Sequence, residues 1–240
     1  DELRGNAGGE KFQCNIADPV KHQVIDILPS RNTENLCKHF LEYPYKERAA
    51  VKKIVMDLSN LFRSVAKSMF PEAKIVADKF HVIRVVINSL ENVRKRIQKE
   101  FHATKRKWFK RSRYLLLKPE YKLTSEDKTE LARMLNSSYD LEKAYVLKER
   151  FYEVFRKQTR TEAKKELGKW LLLAADLSLP EFRHCITTFS NWKTEIANII
   201  GERVSNGFIE GSNNKIKVLK RISYGVQNFD RFRNRILYLQ

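Results

Sequence analysis

The sequence lacks the segments that would place the chain in a membrane or build it around cysteine. No run of about 18 apolar residues occurs in the 240 residues, and no stretch has the pattern of a signal peptide. Its three cysteines, Cys14, Cys37 and Cys185, lie far apart with no Cys-x-x-Cys pair, which argues against a zinc finger or a disulfide framework. There is no glycine-rich phosphate loop, so nucleotide hydrolysis has no support. These absences predict a cytosolic protein.

Charge is what the sequence has in excess. Its 47 lysines and arginines outnumber 29 acids and give a formal net charge of +18. A polyanionic partner is therefore expected, and nucleic acid is the simplest one, because each cation placed on a phosphate releases counterions. The chain is also long enough to bury a sizeable core, either as one large domain or as a core with an insertion.

The first 80 residues alternate strand and helix patterns. Strands are predicted at 11–18, 23–28, 51–57 and 73–78, the first two forming a hairpin, and helices at 33–41 and 60–70. This alternation predicts an α/β fold with a mixed or parallel sheet. Asp57 and Asp78 end the last two strands, where ligands of open α/β sheets bind. The alternative for each is a helix N-cap, since a predicted helix follows both.

From about residue 82 to 200 the strand pattern disappears and helical spacing takes over. Between Glu91 and Lys122 there are twelve lysines or arginines against three acids. Within this region Trp108 and Phe109 stand among cations. Cations can hold a phosphate backbone while an exposed aromatic ring stacks on an unpaired base. The alternative is that both aromatics are core and the cations face solvent. We predict a core of residues 1–85 and 201–240, interrupted by an α-helical insertion at 86–200.

The segment 205–221 has helical spacing after a Ser-Asn-Gly start. At about 100° per residue, one face carries Glu210, Asn213, Asn214, Lys217 and Arg221, and the opposite face carries Phe208, Ile209, Ile216 and Leu219. Glu210 is the one acid beside four cations: Lys215, Lys217, Lys220 and Arg221. A carboxylate ringed by amides and cations suits a metal ligand beside a phosphate backbone. An ordinary amphipathic surface helix is the alternative.

Several stretches resemble the ISL-three family of bacterial insertion-sequence transposases: residues 1–5, 70–82, 205–221, 224–225 and 229–237. The resemblance implies a ribonuclease H-like fold with an all-α insertion before the last catalytic helix. It implies a DDE site that holds two Mg²⁺ ions, for which Mn²⁺ can substitute, and that cuts and joins DNA strands by phosphodiester hydrolysis and transesterification. The implied partners are transposon ends and target DNA, bound by a homodimer or a larger assembly, in the bacterial cytoplasm near the nucleoid.

The resemblance also assigns residues. Asp1 matches the first acid and Glu210 the third. Counting strands gives Asp57 as the second acid and metal ligand, while Asp78, in an Asp-x-x-His element with His81, is the alternative. His81, Asn214 and Lys217 are expected to support the site. The charge pattern of the basic region and of the segment 205–221, and not the resemblance, gives the expected DNA-binding residues: Lys105, Arg106, Lys107, Trp108, Lys110, Arg111, Arg113, Lys220 and Arg221.

Two other functions stay open on the sequence. One is a DNA-binding derivative that has lost catalysis, which a metal-dependent nicking assay would identify. The other is a structure-specific nuclease on the same fold, which would cut branched DNA without joining strands, so that a strand-transfer assay separates it from a transposase.

Overall fold

The computed structural model describes residues 1–4, 10–202 and 207–238. The chain forms two compact units, one of Asp1–Phe80 with Glu202–Gln240 and one of His81–Gly201. The strands are β1 (Glu2–Arg4), β2 (Phe12–Asp18), β3 (Gln23–Leu28), β4 (Lys53–Met56) and β5 (Lys74–Ala77). The helices are α1 (Thr33–Leu41), α2 (Tyr45–Ala50), α3 (Asn60–Met69), α4 (Lys79–Gln98), α5 (Ala103–Arg111), α6 (Arg113–Leu117), α7 (Ser125–Leu135), α8 (Tyr139–Tyr152), α9 (Arg160–Asp176), α10 (Arg183–Asn191), α11 (Lys193–Ala197), α12 (Gly207–Ile222) and α13 (Phe229–Tyr238).

The strands of the first unit form two sheets. Strands β1, β2 and β3 are antiparallel in that order, with Glu2 opposite Cys14 and Cys14 opposite Leu28. Strands β4 and β5 are parallel, with Met56 opposite Ala77. The predicted strands and hairpin are confirmed to within about two residues at each end, since β-branched and apolar runs bounded by turn residues mark strands well. The predicted α/β fold class is likewise confirmed, but the described strands do not form the single mixed or parallel sheet that the sequence predicts, because the antiparallel and the parallel strands lie in separate sheets.

Helices pack on both faces of the three-stranded sheet. On one face, Leu3, Val24 and Ile27 of the sheet pack against buried residues of the last two helices, Ile216, Leu219, Phe232 and Ile236. On the other face, Cys14 and Leu28 pack against Leu36 of α1 and Val65 of α3. Two-sided burial explains why β2 and β3 are apolar over most of their length. It also fixes α12, which carries Glu210, against the sheet that begins next to Asp1.

A cleft of about 660 Å³ opens in the first unit. Its lining comes from β2 and β4, from α1 and α3, and from Asp1 and Ile209. Among the described residues, β1 and β4 are not paired, so the two sheets remain separate on either side of this cleft. Asp1 and Asn15 are among its polar lining residues.

The second unit is entirely helical in its described residues. Its core is aromatic: the Phe151 ring lies 5.0 Å from the Trp170 ring and 5.1 Å from the Phe189 ring, centroid to centroid. A capping box between Thr124 and Asp127 starts α7. Within the described ranges no helix is both long and apolar enough to cross a bilayer.

Candidate functional site

Asp57 and Asp78 follow two neighbouring parallel strands. Met56 and Ala77 are register partners at the ends of β4 and β5, and the backbone N–H of Asp78 donates to the Met56 carbonyl at 2.7 Å. Helix α4 begins directly after Asp78, so its first turn holds His81 beside that strand end. One ligand atom from each of Asp57, Asp78 and His81 can be chosen so that all three lie within 4.8 Å of one another. Two carboxylates and an imidazole at this spacing can hold a divalent metal ion.

The N-cap alternative is wrong for Asp57. The cap of α3 is Ser59, whose hydroxyl accepts a hydrogen bond from the Phe62 N–H. The position of Asp57 is therefore not explained by helix capping. Asp78 differs, because its Oδ1 accepts from the Phe80 N–H at 3.4 Å in the first turn of α4. Asp78 is also almost completely buried, with 1% of its surface exposed.

A second polar group surrounds Asp1. The side-chain amide of Asn213 donates to the Asp1 carboxylate at 2.8 Å, and the amide of Asn15 donates to Asn213 Oδ1 at 2.8 Å. The backbones of Asp1 and Asn15 exchange hydrogen bonds of 2.8 and 3.0 Å, which continue the β1–β2 ladder. The carboxylate is therefore held from the strand and from α12 at once. Asn15 Oδ1 is buried and has no hydrogen-bond partner among the described residues, which leaves an oxygen acceptor beside Asp1.

Glu210 lies half-buried in the first turn of α12. Asn213 is three residues further along the helix, and residues at that spacing are neighbours on one side. Glu210 therefore lies on the same side of α12 as Asn213, whose amide contacts the Asp1 carboxylate. Asp1 and Glu210 are outside the group of Asp57, Asp78 and His81, so the candidate ligands among the described side chains fall into two sets.

The predicted faces of α12 need one correction. Asn213 is buried, with 6% exposed, although the helical wheel places it on the polar face. Asn214, Lys217 and Arg221 are exposed as predicted. Phe208 packs on the core cluster and its ring stacks on His22, with centroids 5.4 Å apart. The first two residues of the predicted segment, Ser205 and Asn206, lie outside the described residues.

A buried carboxylate ties the opposite ends of β4 and β5 together. Glu202 accepts from Lys53 at 2.6 Å and also from Lys74, and those two lysines are register partners at the first position of each strand. Hydrogen bonds from both lysines lower the pKa of Glu202 to about 2. The Glu202 side chain is only 4% exposed. The two ion pairs attach Glu202, the first residue of the returning segment of the first unit, to the starts of β4 and β5. Asp57 and Asp78 follow the other ends of these strands.

The basic region divides into structural and exposed cations. Arg94 is buried against Glu91, and Arg96 pairs with Asp140 and Glu181. The exposed cations of α5 and α6 form no ion pair within the described part of the chain; they are Arg106, Lys107, Lys110, Arg111 and Arg113.

The aromatic residues of this region are engaged inside the helical unit. Phe109 is fully buried, which agrees with the core alternative. Trp108 is half-buried and its indole N–H donates to the Glu130 carboxylate. Lys105 is half-buried over the Phe101 ring, 4.0 Å from its centroid. Lys220, predicted to contact DNA, reaches the Arg4 carbonyl at 3.5 Å instead of standing fully in solvent. Arg221 is exposed.

Three residues make contacts that the sequence alone does not predict: Asn15, Asn213 and Glu202. Asparagine is disfavoured inside an apolar strand, so the presence of Asn15 in β2 by itself indicates a polar contact at that position. Asn213 belongs to an Asn-Asn pair that is unfavourable in a helix. No local pattern distinguishes Asn213 from Asn214, because which of them faces Asp1 depends on how the helix is rotated against the sheet.

Comparison with known proteins gives one family. The model of the ISL-three family of DDE transposases, described as transposase, matches residues 1–236. The chain is 25% identical over 228 residues to the transposase for insertion sequence element IS1001 of Bordetella parapertussis, covering 93% of this chain and 56% of that protein. It is 27% identical over 236 residues to the transposase for insertion sequence element IS1557 of Mycobacterium tuberculosis, covering 89% and 53%.

The chain thus spans little more than half the length of these two relatives. A Lactococcus lactis protein named ATP-dependent protease is 35% identical over 94 residues, which is 39% of this chain and 26% of that protein. No solved structure matches the chain.

Proposed function

Because this chain belongs to the ISL-three family of insertion-sequence transposases, we propose that it is the catalytic part of a DDE transposase. In this proposal it cuts and joins DNA strands at the ends of an insertion sequence by phosphodiester hydrolysis and transesterification. The observation that carries the proposal is the placement of acids: Asp57 and Asp78 with His81 at adjoining strand ends, and Asp1 linked to the helix that bears Glu210.

The proposed fold is ribonuclease H-like. Its support is the strand order β3-β2-β1 in one sheet, the parallel pair β4-β5 in the other, and helices on both faces of the first sheet. The helical unit separates β5 from α12 in sequence, as an insertion before the last catalytic helix would do. We propose that residues 86–200 are this insertion.

The donor chemistry fits a hard divalent cation. Carboxylates and amide oxygens are the ligands that Mg²⁺ and Mn²⁺ prefer, and these ions need few protein ligands because they keep several waters. Asp1, Asp57 and Glu210 would hold the ions, with Asp78 as the alternative second acid and His81 in support. Two bound ions would activate the attacking oxygen and stabilise the leaving oxygen of an in-line displacement at phosphorus.

The chain's own residues supply position and charge. Asn213 holds the Asp1 carboxylate, and the packing of Ile216 and Leu219 on the sheet fixes the helix that carries Glu210. Lys217 lies on the exposed side of α12, two helical turns from Glu210, and Asn214 lies one turn from it. These side chains can contact a phosphodiester lying along that helix, so that the scissile phosphate is oriented before reaction.

DNA is the proposed partner, and the exposed cations of α5 and α6 are the proposed holding surface. Arg106 and Lys110 are four residues apart, as are Lys107 and Arg111, so they form two adjacent rows on α5. No acid occurs in α5, and its five cations therefore face no carboxylate along the same helix. Such a surface binds phosphates without reading sequence.

The test replaces one acid at a time in the full-length protein. Asp1→Ala, Asp57→Ala and Glu210→Ala should each abolish Mg²⁺-dependent cleavage and strand transfer while duplex binding persists. Glu72→Ala, which changes an exposed acid of the same unit, is the matched control and should behave as wild type. Undiminished cleavage by the Glu210→Ala protein would remove the DDE assignment. Cleavage without strand transfer in the wild type would point to a nuclease.

A further inference from the structure

Two buried asparagines connect the Asp1 carboxylate to α12 and to β2. Asn213 is 6% exposed and Asn15 is 1% exposed. Their amides form a chain of two hydrogen bonds, each 2.8 Å long, that ends on the carboxylate. The three residues are separated by 198 and 212 positions in the sequence, so the chain joins parts of the polypeptide that only folding brings together.

The donor and acceptor roles in these two hydrogen bonds follow from the Asp1 carboxylate, on which the series ends. An ionised carboxylate only accepts hydrogen bonds, so Asn213 must turn its NH₂ group toward Asp1. Its carbonyl oxygen then faces Asn15 and needs a donor, which the Asn15 amide supplies. The charge on Asp1 therefore determines the orientation of both amides. The amides in turn hold the Asp1 carboxylate in one orientation.

The burial of these two amides is not explained by packing, because it raises the free energy of the folded state unless their hydrogen bonds are made. An amide withdrawn from water is unfavourable unless its hydrogen bonds are made, and an apolar side chain would fill the same space more cheaply. Asn214, the next residue on α12, is exposed and has no such contact among the described residues. Of the two adjacent asparagines of α12, the buried one is therefore the one that contacts Asp1.

We propose that Asn213 and Asn15 are positioning residues for the proposed metal site. They hold the Asp1 carboxylate at a fixed place relative to the first turn of α12, so that the first and third acids form one rigid half of the site. Asn213 acts through Asp1, and Asn15 acts through Asn213. This inference rests on the proposed function, because it gives the network a role only if Asp1 and Glu210 share metal ions.

The test compares Asn213→Ala and Asn15→Ala with Asn234→Ala, a change at an exposed asparagine of α13, in the full-length protein. Three quantities are measured: the cleavage rate as a function of Mg²⁺ concentration, the affinity for duplex DNA, and the rise in melting temperature that Mg²⁺ alone produces. Loss of a residue that orients a metal ligand typically costs about 10–100-fold in metal affinity or activity. We expect a loss of that size for Asn213→Ala, a smaller one for Asn15→Ala and none for Asn234→Ala, with DNA affinity unchanged in all three.

A swapped pair separates positioning from stability. Asn213→Asp alone puts two carboxylates within hydrogen-bond distance and should lower both melting temperature and cleavage. Adding Asp1→Asn restores an amide–carboxylate pair with the roles exchanged. The double variant should recover the melting temperature and remain inactive, because the carboxylate now projects from the helix and not from the strand.

The outcomes distinguish the two proposals. If Asp1→Ala abolishes cleavage but Asn213→Ala keeps the wild-type rate and Mg²⁺ dependence, the positioning role is overturned and the proposed function stands. If Asp1→Ala itself keeps cleaving, the proposed function fails, and this inference fails with it. Wild-type cleavage by Asn213→Asp, which keeps Asp1, would overturn the positioning role even if Asn213→Ala did not fold.

Discussion

Asp57 and Asp78 occupy equivalent positions at the ends of two parallel strands. Each directly follows one member of the Met56–Ala77 register pair, and His81 joins them from the first turn of α4. Strand counting favours Asp57 as the second acid, whereas the Asp-x-x-His element favours Asp78. Their adjacency means that both can contribute to one site, and the difference between them lies in their other contacts.

The first prediction separates these two acids. Because Asp57 is not the cap of α3, we expect Asp57→Asn to lose cleavage in both Mg²⁺ and Mn²⁺. Asp78→Asn should keep part of its activity in Mn²⁺, since its carboxylate also has a structural contact with the Phe80 N–H. The measurement is the cleavage rate of the full-length variants in each metal. The reverse pattern would assign the second acid to Asp78.

The second prediction concerns the exposed cations of α5. Changing Arg106, Lys107, Lys110 and Arg111 together to glutamine should weaken duplex binding and flatten its salt dependence. Each phosphate contact contributes about −0.9 to the slope of log affinity against log salt, so a loss of about 3–4 units is expected if all four contact phosphates. Lys105 is left unchanged because it packs over Phe101.

Four other exposed cations of the helical unit provide the matched control for this change: Lys128, Arg150, Lys165 and Arg183. Replacing them with glutamine removes the same net charge from other helices. If the slope of log affinity against log salt flattens equally in both quadruple variants, total charge and not the α5 surface governs binding. An unchanged slope in the α5 variant would mean that its cations only face solvent.

The third prediction follows from the Glu202 ion pairs. The pKa of Glu202 in the folded protein is about 2, below the ordinary value of 4.5. A lowered carboxyl pKa stabilises the fold at pH values above the unfolded pKa, and this contribution is lost as the pH falls from about 4.5 toward 2. The full lowering of the pKa would correspond to about 3.5 kcal/mol, since each unit is worth about 1.4 kcal/mol, but the Lys53 side chain is 50% exposed and solvent screening reduces the contribution to about 1–2 kcal/mol.

Acid unfolding of Glu202→Gln measures this contribution. The variant should be less stable than wild type at pH 7, and the gap should narrow as the pH falls below about 4.5 and close near pH 2, where the wild-type carboxyl is also protonated. Glu72→Gln, at an exposed position of the same unit, should show no gap at either pH. A constant difference at all pH values would mean that the side chain acts through packing and not through its charge.

The sequence by itself determined the local elements of this protein. Apolar runs ending in Asp57 and Asp78, the helix at 33–41 with its Asn32 cap, and the capping box at Thr124 all depend on neighbouring residues, so the chain encodes them locally. The short helix α2 has no such local pattern, because none of its six residues is buried. The family is also evident in sequence, because its long motifs are contiguous.

Tertiary structure decided which of these residues meet. That Asn213 and not Asn214 faces Asp1 depends on the rotation of α12, which is fixed by Ile216 and Leu219 packing on the sheet. That Glu202 joins Lys53 and Lys74 depends on where the chain returns from the helical unit, 149 positions after Lys53. Helical and strand periods specify faces to within a residue, whereas a hydrogen bond requires an atom to be placed within about 0.5 Å. Only packing of the whole unit provides that precision.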